Sequence, residues 1–189
     1  MKKYSQNRWI VLSAFSFVFL LTFSLFIRKS EAVQMPSAQA VQKNYPITLV
    51  VPALHITTAI ESLGVTTTGE MDVPKGPKTV SWYDLGPRPG DSGSAVIAGH
   101  YGWKNGIPAV FDKLRLLKKG DVVYVKNARG MTTKFVVRKV AVFSEKDSAT
   151  SVFLSTDKKA HLNLITCGGI WNKNTKSYSS RTVVFTDAV

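Results

Sequence analysis

The sequence predicts a mostly β domain, a mostly antiparallel sheet or barrel with one or two short helices, preceded by a single N-terminal transmembrane helix. Three observations carry this expectation. Short aliphatic and β-branched runs bounded by glycine, proline and asparagine recur from residue 47 to the C-terminus, the pattern of many strands joined by turns. Only one stretch in that region repeats its apolar residues at helical spacing. Near the start, residues 9–27 (WIVLSAFSFVFLLTFSLFI) carry no charge, and a helix of that length crosses most of a hydrocarbon core about 30 Å thick.

Lys2, Lys3 and Arg8 precede the apolar run, so the positive-inside rule puts residues 1–8 in the cytoplasm, against the opposing pull of Arg28 and Lys29. The expected product is a single-pass protein of the cell membrane with its body outside the cell. A cleaved signal peptide is the rival, because Ala38-Gln39-Ala40 has the small-x-small form of a cleavage site. Two features count against cleavage. The run exceeds the usual apolar length of about 7 to 15 residues, and Ala40 lies 13 residues beyond its end. Residues 28–46 have few large apolar groups and read as a linker, with the folded domain at 47–189.

Residues 47–54 (ITLVVPAL) read as a strand that reaches its end at Pro52. Residues 58–77 mix short apolar patches with Gly64, Gly69 and Gly76, as loops between short strands do. Residues 80–85 form a further strand, and GPRPGDSG at 86–93 is a dense run of turn residues. Residues 94–100 (SAVIAGH) make a buried strand ending in Gly99 and His100. The one soluble helix is expected at 108–117 (PAVFDKLRLL): Pro108 suits a first turn, Val110, Phe111, Leu114 and Leu117 recur at helical spacing, and Gly120 stops it. Strands follow at 122–126 and 131–143, joined by NARG. In the second, the apolar parity changes from Phe135 and Val137 to Val140 and Val142, which asks for a bulge near Arg138 and Lys139. At 162–166, Leu162, Leu164 and Thr166 alternate with Asn163 and Ile165, as in a half-buried strand. Cys167 then stands at the strand's exit, where Gly168 and Gly169 permit a sharp turn and a close approach to the sulfur. A last strand begins on Arg181, with Arg181, Val183 and Phe185 on one face. If it pairs with the cysteine strand, the guanidinium reaches the thiol.

With 189 residues, 44% of them apolar, the chain supports one domain with a real core plus an appendage. Its single cysteine excludes an intramolecular disulfide scaffold. Of the net charge of +13, residues 1–40 hold five basic groups against Glu31, which leaves +9 on the rest. Such a surface suits a polyanion. The chain has no zinc-finger spacing, no basic region with heptads and no aromatic RNA-binding signature, so the expected partner is an anionic envelope and not nucleic acid.

A thiol, an imidazole and a guanidinium at strand ends are the parts of an acyl-transfer site: nucleophile, proton carrier and oxyanion stabiliser. The blander alternatives are a lone cysteine that fills the core and a histidine in a solvated turn. His55, after the first strand, and His161, after Lys158 and Lys159, read as surface residues. No zinc-ligand spacing occurs, no G-x-S-x-G elbow is present, and Glu145 with Asp147 are too few carboxylates for calcium. The chemistry calls for no cofactor or metal. Trp171, just past Gly-Gly, is placed either to wall the site or to pack at the core or rim.

GSAVIAGHYG around His100, LITCGG around Cys167 and the strand-initial Arg181 resemble the three active-site segments of the sortases, cysteine transpeptidases anchored on the outer face of the Gram-positive membrane. The resemblance spans residues 41–189, and DVPKGPKTVSWYDLGPRPGDSGSAVIAGH is most similar to the small class F sortases. The family's usual TLxTC is departed from at one place, where Asn163 stands for the threonine. The resemblance implies a closed or nearly closed barrel in which Cys167 attacks the peptide bond after threonine in an LPxTG-like sorting signal and holds the acyl group as a thioester. It implies that His100 protonates the leaving amine and deprotonates the incoming acceptor, an amine such as a cell-wall precursor, while Arg181 holds the substrate and the oxyanion. Thr166 would touch the substrate backbone, and Val152, Phe153 and Leu154, the apolar part of the 144–159 connection, would form the groove. With ordinary values of about 6.5 for histidine and 8.5 for cysteine, the thiolate and imidazolium form is about 1% of the singly protonated pair, so activity should follow a bell-shaped pH profile. Two other readings stay open. One is an L,D-type cell-wall transpeptidase, whose S-x-G-C-type motif is missing; the other is a non-enzymatic anchored β module that binds wall polyanions through its +9 charge.

Overall fold

The computed structural model describes residues 44–189, so the expected transmembrane helix at 9–27 and nearly all of the linker lie outside the described residues. Eight strands account for most of what is described: β1 Pro46–Val51, β2 Ile56–Leu63, β3 Val80–Tyr83, β4 Gly93–Gly99, β5 Val122–Asn127, β6 Thr132–Ser144, β7 Ala160–Asn172 and β8 Ser177–Ala188. They close a barrel in the order β1-β2-β3-β4-β7-β8-β6-β5, in line with the mostly β expectation and with the closure that the resemblance implied. The sheet is not purely antiparallel. β2 runs parallel to β3, and β4 parallel to β7, because residues 64–79 and 100–159 are crossovers long enough to return the chain to the same end of the barrel.

The inward faces of the strands fill the barrel with Leu49, Val51, Val80, Trp82, Ile97, Val123, Phe135, Leu162, Leu164 and Val184, all 2% exposed or less. A second apolar cluster lies on the other face, where Val96, Val183 and Phe185 pack against Val152. Val152 belongs to a single α-helical turn, Thr150–Phe153, on the connection between β6 and β7. This cover corrects the expectation of a half-buried cysteine strand. Leu162 and Leu164 point inward, and His161 and Asn163 on the opposite face are also buried, at 5% and 1% exposure. His161 is therefore not a surface residue. His55 is exposed, as expected.

Four further expectations need correction. Residues 108–117 do not form a helix; they make successive turns and one 3-10 turn at Leu114–Leu116. The Asp112 carboxylate accepts the Gly102 and Ala109 N–H groups at 2.7 and 3.1 Å, and backbone bonds span three residues, from Leu114 to Phe111 and from Leu117 to Leu114. The buried Phe111, Leu114 and Leu117 recur every three residues, which suits the tighter winding as well as it suits an α-helix. The region read as loops from residue 58 begins inside β2, an eight-residue strand, whose threonines, Glu61 and Ser62 hide its alternation. Gly168 and Gly169 make no sharp turn: β7 continues to Asn172 through a register shift between Gly168 and Trp171, with Gly169 at φ +76°, which is a bulge. Arg181 accordingly lies within β8 and not at its start. The bulge expected near Arg138 is present, as a register shift between Val137 and Lys139.

Candidate active site

Strand register alone assembles the site. In the parallel pair Ala98 on β4 lies opposite Ile165 on β7, so Gly99 and His100 run out of β4 beside Thr166 and Cys167. The Thr166 hydroxyl donates to the Gly99 carbonyl at 2.7 Å and ties the two strands together one residue before each reactive group. On the other flank, Cys167 pairs directly with Arg181 on β8. His100, Cys167 and Arg181 thus come from three adjacent strands at one end of the barrel and line one cavity of about 420 Å³.

Each group is held differently. His100 donates its Nε2–H to the Pro74 carbonyl at 2.6 Å, and a carbonyl can only accept. The proton on Nε2 is thereby fixed, and Nδ1 is the nitrogen left to exchange protons. Trp103 stands against the ring, with centroids 4.7 Å apart. Arg181 donates from Nη1 to the Tyr178 and Ser180 carbonyls, both at 2.9 Å, and no carboxylate lies within ion-pair distance of it among the described residues. The Cys167 thiol is pushed above its ordinary value by burial, and the Arg181 charge opposes that push without cancelling it.

The other expected site residues divide. Phe153 and Thr166 line the cavity, although Thr166 is 4% exposed and its hydroxyl is committed to Gly99. Val152 is buried beneath Phe153 in the outer cluster. Leu154, 66% exposed, lies on the far side of the helical turn, where it lines a second cavity of about 260 Å³. Trp171 meets Tyr178 edge to face, with centroids 5.0 Å apart, and does not line the cavity shared by His100, Cys167 and Arg181. Missing from the sequence reading were Thr66, Glu70, Met71, Asp72 and Val73, which close the cavity from the connection between β2 and β3. So was Tyr178, whose phenol is pushed up by burial and by negative charge on Cys167. Their only local signal is the position of Tyr178, three residues before Arg181. Among the described residues no three His, Cys, Asp or Glu side chains converge as metal ligands.

A barrel that sets a thiol, an imidazole and a guanidinium around one cavity has the layout of a cysteine acyl-transfer enzyme. Residues 49–189 match the family model for the sortase domain. The chain belongs to the sortase family and is a cysteine transpeptidase. Among solved structures it is similar to a lid mutant of sortase A from Corynebacterium diphtheriae, at 23% identity and a TM-score of 0.61, over 80% of this chain and 74% of that one. It is likewise similar to sortase C-1 from Actinomyces oris, at 23% identity and 0.61, over 93% and 98%. A pilus-related sortase C of group B Streptococcus matches at 20% and 0.58, over 86% and 77%. At these identities the likeness establishes the fold. Among curated proteins, none matches the chain in sequence.

Proposed function

We propose that this protein is a class F sortase, anchored by residues 9–27 in the cell membrane with its barrel outside the cell, that cleaves an LPxTG-like sorting signal and transfers the acyl part to an amine. The observation that carries the reading is the register that sets Cys167 between His100, which follows the end of β4, and Arg181 on β8 over one cavity. In the forward half, Sγ of the Cys167 thiolate attacks the threonine carbonyl carbon. The C–N bond breaks as His100 delivers a proton to the leaving amine, which leaves a thioester. In the return half, His100 takes a proton from the incoming amine, its nitrogen bonds to the carbonyl carbon, and the thiolate departs. Arg181, fixed by two backbone carbonyls, directs its remaining donors toward the oxyanion that forms in both halves.

The test is to incubate the protein with a peptide library built around LPxTG, with and without an amine acceptor such as a wall-precursor peptide. Cleavage after threonine, a new amide only when amine is present, and loss of both in Cys167→Ala are expected. Release of products by Cys167→Ala at the wild-type rate would overturn the assignment.

A further inference from the structure

On the odd face of β7, the two residues below the reactive cavity reach up to the connection between β6 and β7. Asn163 donates Nδ2–H to the Val152 carbonyl at 2.6 Å while its Oδ1, also buried, has no partner. His161 places Nδ1 2.8 Å from Asp187 of β8 and Nε2 2.9 Å from Asp157 of the connection. We propose that His161 and Asn163 are positioning residues that latch this connection to the barrel wall at two points, Asp157 and Val152, and so fix where Phe153 stands at the reactive cavity. The proposal rests on the sortase reading for the use of Phe153 by substrate, but the latch itself does not.

Geometry makes one of the two points conditional. Both imidazole nitrogens face carboxylate oxygens, which only accept, so both bonds exist together only in the imidazolium. The charged groups facing it are Asp157 from the connection and Asp187 from β8, with Arg138 of β6 3.4 Å from the same Asp187 oxygen. Lys139 of β6 lies over the neighbouring Phe185 ring at 4.6 Å, and β4 contributes only the uncharged Ser94 opposite His161. Burial works against the charged ring, and the two carboxylates outweigh it, so the group titrates above its ordinary 6.5. The latch is therefore complete below about 6.5, and as pH rises through the raised value the neutral ring has one proton to share between Asp157 and Asp187, so the hold on Asp157 weakens. The Asn163 point does not titrate.

The experiment measures amide hydrogen exchange across residues 148–157 of the full chain from pH 6 to 9, corrected for intrinsic rates, beside kcat and KM for an LPxTG-type peptide. Wild type should lose about tenfold of its protection across the His161 transition, the size of one charge-assisted bond. Asp157→Ala should hold protection at the lower level at every pH, and His161→Gln should abolish the pH dependence. Asn163→Thr, too short to reach Val152, should lower protection at every pH. In turnover, the variants should raise KM severalfold and leave kcat within about twofold. Protection equal to wild type in all variants at all pH values would overturn the latch, as would a fall in kcat with KM unchanged. If no variant and no wild type turns over the peptide, the exchange data still decide the latch and the failure belongs to the substrate reading.

Discussion

Replacing Gly99 by alanine tests how tightly the barrel interior fixes the imidazole. A methyl carbon there would stand 2.6 and 2.9 Å from Phe111 Cδ2 and Cε2 and 2.9 Å from Val110 Cγ1. Ordinary carbon contacts are about 3.5 to 4.0 Å, so the shortfall is about 1 Å on two sides. Phe111 is fully buried and has nowhere to go. Its backbone N–H is bonded to the His100 carbonyl at 3.1 Å, so displacement of Phe111 acts directly on His100. Overpacking of this kind costs about 1 to 3 kcal/mol, which for a chain of this size lowers Tm by about 2 to 12 °C. A shift of about 1 Å at a reacting group lowers turnover by about 100-fold. Thermal unfolding and peptide cleavage measured on the same preparation check both effects. Wild-type Tm together with wild-type turnover in Gly99→Ala would refute the claim that packing behind β4 positions His100.

Other consequences follow from the same geometry. Thr166→Val removes the tie to the Gly99 carbonyl and should destabilise the fold by about 1 to 3 kcal/mol, read by urea unfolding; an unchanged midpoint would show that the tie contributes nothing. Because burial holds the Cys167 thiol above its ordinary value, alkylation by iodoacetamide should climb about tenfold per pH unit through neutrality. Arg181→Met removes the opposing positive charge, so the alkylation midpoint should move to still higher pH, and a midpoint that falls would reverse the sign of the argument. Phe153→Ala should raise KM for the signal peptide with little change in kcat, while Leu154→Ala, on the far side of the helical turn, should leave both alone.

The three residues that share one cavity were legible because each carries a local mark: Gly99 before His100, Gly168 and Gly169 after Cys167, and Arg181 at the head of an apolar run. The count of short strands pointed to a sheet or barrel, and closure was what the sortase resemblance implied. What could not be read was long-range. The parallel pairing of β4 with β7 depends on how 60 residues of crossover, 100–159, are routed, and no periodicity encodes it. His161 looked exposed because Lys158 and Lys159 precede it, yet one of its two partners, Asp187, is 26 residues away. Phe111, Leu114 and Leu117 fit two helical windings equally, and the choice fell to the Asp112 carboxylate, whose bond to Gly102 lies outside the segment. Of the residues expected to form a groove, Phe153 lines the cavity shared by His100, Cys167 and Arg181 while Leu154 lines another, because one helical turn aims adjacent residues at different cavities.

The most direct measurement is the intact mass of the protein after mixing with an LPxTG-type peptide in the absence of amine, followed by peptide mapping. A gain equal to the acyl fragment, located on Cys167, removed by hydroxylamine and absent in His100→Ala, is the expected result. Cleavage of the peptide with no mass ever appearing on Cys167, even under rapid quench, would contradict a thioester route through this sulfur.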